Sequence, residues 1–120
     1  MNGESMAFLT SLALLAHARR DSHALVDSRK RTSTATWPLT NDAFDTFPLP
    51  PDASDDELAR IRGAIGARYA VVIDDREARA DQARRCLAGA GMSATVLEDG
   101  LLGWTQAVAS NASTCTTTRP

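Results

Sequence analysis

Three short apolar runs constrain this chain more than any other feature: Ala24-Leu25-Val26, Tyr69-Ala70-Val71-Val72-Ile73 and Ala94-Thr95-Val96-Leu97. Each is too short for a buried helix, and the first two stop at an acid, Asp27 and Asp74. Continuous apolar runs of this length mark strands that are covered on both faces, as in parallel sheets, because neither side of the strand is left to water.

The segments between the runs carry helical periodicity. Residues 6–20 place Phe8, Leu9, Leu12, Leu15 and Ala16 at helical spacing, with Arg19 and Arg20 suited to the negative end of the helix dipole. Ser54-Asp55-Asp56-Glu57 has the capping-box spacing and opens a helix with Leu58, Ile61 and Ile65 inward, weakened at its end by Gly63 and Gly66. Residues 78–90 form a third helix, with Ala83, Cys86, Leu87 and Ala90 inward and Arg84 and Arg85 facing water. Gly91 stands where a C′ glycine is expected. Gly100 precedes a last helix holding Leu101, Leu102, Trp104 and Val108. In residues 30–51 polar residues and Pro38, Pro48, Pro50 and Pro51 oppose regular helix. Trp37 and the island from Phe44 to Leu49 are read as anchors of that connection, the latter as a short strand. The expected fold is therefore α/β: a single small domain over residues 1–109 with a mostly parallel central sheet flanked by helices. The Ser/Thr-rich residues 110–120 have no apolar pattern and are read as a flexible tail.

Several function classes are disfavoured. A net charge of -2 gives no field to attract nucleic acid. The longest apolar stretch, residues 6–16, is too short for a membrane span and is broken by Thr10 and Ser11. Glu4 precedes it and the arginines follow it, so it reads as a helix of the domain rather than a targeting signal. The sequence names no compartment, but the cytoplasm or an organellar matrix fits better than secretion, and the sequon Asn111-Ala112-Ser113 is read as chance. Cys86 and Cys115 have neither CxxC spacing nor histidine partners, so no disulfide framework or zinc site is expected, and Cys86 is read as a buried, poorly nucleophilic thiol. His17 and His23 lack catalytic spacing, and no metal or cofactor is called.

In parallel sheets ligands sit beyond the carboxyl ends of the strands. Here those ends carry Asp27 and Asp74-Asp75. The strand Val71-Val72-Ile73 is followed by the loop Asp74-Asp75-Arg76-Glu77-Ala78-Arg79 and a helix ending at Gly91. A further strand and Leu97-Glu98-Asp99-Gly100-Leu101-Leu102-Gly103-Trp104 come next. This order resembles the second half of a rhodanese domain. Leu25-Val26-Asp27-Ser28-Arg29 and Phe47-Pro48-Leu49 resemble two of the family's upstream elements, so the likeness spans residues 6–108. The Gly-His-Ile element of the family is absent.

The resemblance implies a sulfurtransferase fold whose loop opens with a nucleophilic cysteine in a cradle of backbone N–H groups. Counting back from Gly91 puts Asp74 at that position, and Arg79 keeps the loop's closing arginine. A carboxylate can occupy the same electropositive frame, but it cannot carry sulfane sulfur as a thiolate does. Asp74 is read as a helix N-cap left after the chemistry was lost. The expectation is a catalytically inactive rhodanese-like domain acting as a binding, regulatory or structural module with protein partners, in some settings as an accessory subunit. The degenerate loop is Asp74, Asp75, Arg76, Glu77, Ala78 and Arg79. The alternatives are a sulfurtransferase with a non-standard nucleophile and a truncated receiver-like protein. Asp74-Asp75 also resembles the acid pair with which receivers bind magnesium, but only about twenty residues follow Gly100.

Overall fold

Alternate residues of the strands pack into two separate cores, and this two-sided burial makes the apolar runs continuous. The computed structural model describes residues 10–39 and 43–117, with side chains as far as residue 109. The elements are α1 (Ser11–His17), β1 (His23–Asp27), α2 (Arg31–Thr36), β2 (Thr46–Pro48), α3 (Asp55–Ile65), β3 (Tyr69–Ile73), α4 (Glu77–Gly89), β4 (Ala94–Val96) and α5 (Gly100–Thr117). All four strands are parallel, in the order β2-β1-β3-β4. The domain is a single compact α/β unit, in keeping with the parallel-sheet reading and consistent with a rhodanese-like α/β fold.

Ala24, Val26, Ala70 and Val72 face one way, onto Ile61 and Ile65 of α3 and Ala80, Ala83 and Leu87 of α4. Leu25, Val71 and Ile73 face the other, onto Leu14 of α1 and Trp104 of α5, with Phe44 beside the Trp104 ring at 6.2 Å. The expected capping box is present. Ser54 Oγ accepts the Glu57 N–H at 3.2 Å, and Glu57 Oε1 accepts the Ser54 N–H at 3.2 Å. Gly91 sits at φ 88°, the left-handed conformation that ends α4.

Three readings change. The first helix among the described residues begins at Ser11, because Thr10 Oγ1 accepts the Ala13 N–H and so caps it. Its buried side chains are Ser11 and Leu14, while Leu12 points outward at 68% exposure; Phe8 and Leu9 lie outside the described residues. Residues 31–36 are helical despite their polar character, and Trp37 at their end is 69% exposed rather than an anchor; Phe44 alone of the two islands' large rings is buried. Cys86 is exposed, because Ala80, Ala83 and Leu87 define the inward stripe of α4 and Cys86 lies off it. The backbone of α5 runs on to Thr117; Cys115 and the sequon lie where side chains are not described.

Candidate functional site

The sheet order makes β1 and β3 the neighbours at which chain direction reverses: from β1 the chain crosses to β2 on one side, then returns to β3 on the other. Two crossovers diverge there, which leaves a crevice beyond the strand ends, the usual ligand position in such sheets. The segments Asp27-Ser28-Arg29 and Asp74-Asp75 enter this crevice together, and the Ser28 N–H joins them by donating to the Ile73 carbonyl at 3.3 Å.

Asp27 is buried and held by its own loop. Arg29 grips it in bidentate fashion, with Nε to Oδ1 at 2.9 Å and Nη2 to Oδ2 at 2.8 Å, and the Arg29 backbone N–H adds a third bond. Arg29 Nη2 also donates to the Trp37 carbonyl at 2.6 Å, and Thr34 Oγ1 donates to Asp27 Oδ2, so this ion pair fastens α2 to the end of β1. The guanidinium is held above its ordinary pKa chiefly by its hydrogen bonds to Asp27. With all of these bonds made between the end of β1 and the end of α2, the Asp27–Arg29 ion pair is structural.

Asp74 has a comparable environment. Arg79 Nε donates to Oδ2 at 2.8 Å and Nη2 to Oδ1 at 2.7 Å; Ser28 Oγ donates to Oδ2 at 2.7 Å, and the Arg76 N–H to Oδ1 at 3.0 Å. Burial pushes this carboxyl up, but the bonds from Arg79, Ser28 and Arg76 outweigh it and hold it at about 2. Asp74 is thus an ionised carboxylate with both oxygens engaged. It is not the helix cap expected from the sequence. Helix α4 starts at Glu77 with Arg76 in the cap position, and Asp74 closes a short turn onto the Arg76 N–H instead. Among the described backbone amides, Arg76 supplies the one bond to the carboxylate, so the Arg79 side chain replaces most of the cradle that the resemblance implies. Asp75 is exposed and shares Arg79 Nη2 at 2.7 Å, while Arg76, Glu77 and Ala78 are exposed on the rim.

Ser28 has no role in the sequence reading, yet it is buried and ties the end of β1 to Asp74. A hydroxyl residue next to the acid that ends a strand was its only signal. The Asp74 carbonyl, in turn, accepts the Leu101 N–H at 3.1 Å, which docks the start of α5 onto the same loop. Beside Arg79 and Ser28 lies a cavity of about 110 Å³, walled by Leu49, Pro51, Leu58, Ala83 and Cys86. The exposed thiol therefore belongs to the wall of a cavity next to the loop. Among the described residues no group of three or more acids, histidines or cysteines is arranged to hold a metal ion, and both Asp27 and Asp74 already carry an arginine. No helix among the described residues is long and apolar enough to cross a membrane. No protein-family model matches the chain, and neither a curated protein nor a solved structure matches it significantly.

Proposed function

We propose that this chain is a rhodanese-like domain that has lost sulfur transfer and serves as a binding, regulatory or structural module. The observation that carries the reading is the state of Asp74. It stands at the loop position where the family it resembles has its nucleophile, and its carboxylate is filled by Arg79, Ser28 and the Arg76 N–H. A carboxylate has no sulfur to form a persulfide, and its charge opposes an anionic donor such as thiosulfate. The arginine that would attract such a donor is already bound to Asp74 and Asp75. What remains is a compact α/β scaffold whose surface is available to partners.

The test is thiocyanate formation from thiosulfate and cyanide. The reading expects no rate above the uncatalysed reaction. One observation favours a second reading, sulfur transfer through a non-standard nucleophile: Cys86 is exposed on the wall of the cavity that Arg79 and Ser28 also line. Turnover that disappears in Cys86→Ser would establish that reading and overturn the first.

A further inference from the structure

A larger concavity, of about 710 Å³, lies between the first turns of α4 and α5 at the carboxyl end of β4. Six of its lining residues are acidic (Asp74, Asp75, Glu77, Asp81, Glu98 and Asp99), and none is Lys, Arg or His. Arg79 offsets Asp74 and Asp75, and Arg84 and Arg85 offset Asp81. Asp99 accepts from the Ser11 backbone N–H and hydroxyl, whereas Glu77 and Glu98 carry no ion pair among the described residues. The two helix N-termini contribute about half a positive charge each. With those ends and the three arginines set against the six carboxylates, the groove keeps an excess of about two negative charges.

The groove also has an apolar side and an open strand edge. Leu101 and Leu102 of α5 line it, Leu102 at 70% exposure, with Val96 at the end of β4. The Ala70 N–H donates to the Ser93 carbonyl, and the Leu97 N–H to the Val72 carbonyl. In a parallel ladder of that register Thr95 turns its N–H and C=O towards β3, which leaves those of Ala94 and Val96 directed away from the sheet. At the opposite edge the outward positions are Thr46 and Pro48, and Pro48 has no N–H to offer, so that edge has one outward donor fewer than β4.

We infer that this groove binds an extended peptide segment of a partner protein in which Lys or Arg alternates with an apolar residue, laid along β4. Successive side chains of an added strand point to opposite faces of the sheet. On one face α4 presents Glu77 and Asp81, and on the other α5 presents Leu101 and Leu102. Alternating basic and apolar residues satisfy both faces, while backbone bonds to Ala94 and Val96 hold the strand. The inference rests on the binding-module reading for its purpose alone, since the groove lies to one side of Cys86 and can bind whether or not sulfur is transferred.

The experiment uses the full chain and a labelled ten-residue peptide of alternating Lys and Val, with a Glu-Val peptide as control. Anisotropy titrations are run at low and high salt, and amide shifts are mapped by NMR. The basic peptide is expected to bind, to weaken with salt, and to shift the amides of Ala94, Val96 and Leu102. The double variant Glu77→Gln/Glu98→Gln should bind roughly tenfold more weakly, as expected for the loss of two surface charges. Equal binding of the acidic peptide, unchanged affinity in the double variant, or shifts confined to other surfaces would overturn the inference. So would magnesium chloride alone saturating the same amides and displacing the peptide, because the groove would then be a cation site. The thiocyanate assay is unaffected by any of these outcomes, so the two readings fail separately.

Discussion

Replacing Arg79 by methionine keeps most of the side chain's length and removes the guanidinium that holds Asp74. Bringing a carboxyl from its ordinary 3.8 to about 2 is equivalent to about 2 kcal/mol of stability at neutral pH. Removing one partner of a fully buried pair costs roughly 3–5 kcal/mol, because the other charge is stranded. Arg79 is 16% exposed, and Asp74 would keep its bonds from Ser28 and the Arg76 N–H, so the loss should fall near the lower figure, about 2–3 kcal/mol at pH 7. The folded-state pKa of Asp74 is depressed. Its contribution is therefore fully present above the unfolded value near 4, and it is lost as the pH falls towards 2. Urea unfolding followed by far-UV circular dichroism at several pH values between 7 and 2 would measure this. The gap between wild type and Arg79→Met should be widest at neutral pH and close on acidification, and adding Asp74→Asn to the variant should recover much of the loss. A gap that stays constant with pH would refute the reasoning, since the arginine would then act through packing of its stem.

Ser54→Ala removes the hydroxyl that accepts the Glu57 N–H and should cost about 1 kcal/mol in the same unfolding assay. Cys86 should react with a maleimide in the native protein, read by peptide mass mapping against a Cys115→Ser background; protection until denaturant is added would contradict its exposed place on α4. Asp74→Cys puts a thiol beside Arg79 and the Arg76 N–H, a setting that favours the thiolate, and should gain one sulfur on exposure to thiosulfate where wild type does not.

Strands β1 and β3 and the parallel character of the sheet were legible in the sequence because burial on both faces leaves runs with no polar interruption. The capping box at Ser54 was equally direct, since its two hydrogen bonds depend on residues three apart and on nothing distant. Less was legible where helical phase decides. Cys86 adjoins Leu87, and one residue of helix is a rotation of about 100°, enough to carry the thiol from the core stripe to the cavity wall. In the first helix the same ambiguity favoured Leu12, whereas the contacts with Trp104 and the sheet take Leu14. The loop residues Asp74 and Arg79 were found from the resemblance, but their bidentate pairing was not. An acid after a strand and before a helix has the pattern of a cap, and only the helix start at Glu77 sets it two residues too early to be one. Ser28 becomes a partner of Asp74 only when β1 and β3 lie side by side, a juxtaposition forty-six residues apart in sequence.

The central claim, that a fully engaged Asp74 has replaced sulfur chemistry at this loop, is tested most directly by the mass of the wild-type protein after exposure to thiosulfate. The account predicts an unchanged intact mass and no thiocyanate when cyanide follows. A gain of one sulfur, mapped to Cys86 and released by cyanide, would contradict it and make the cavity beside Arg79 the working site.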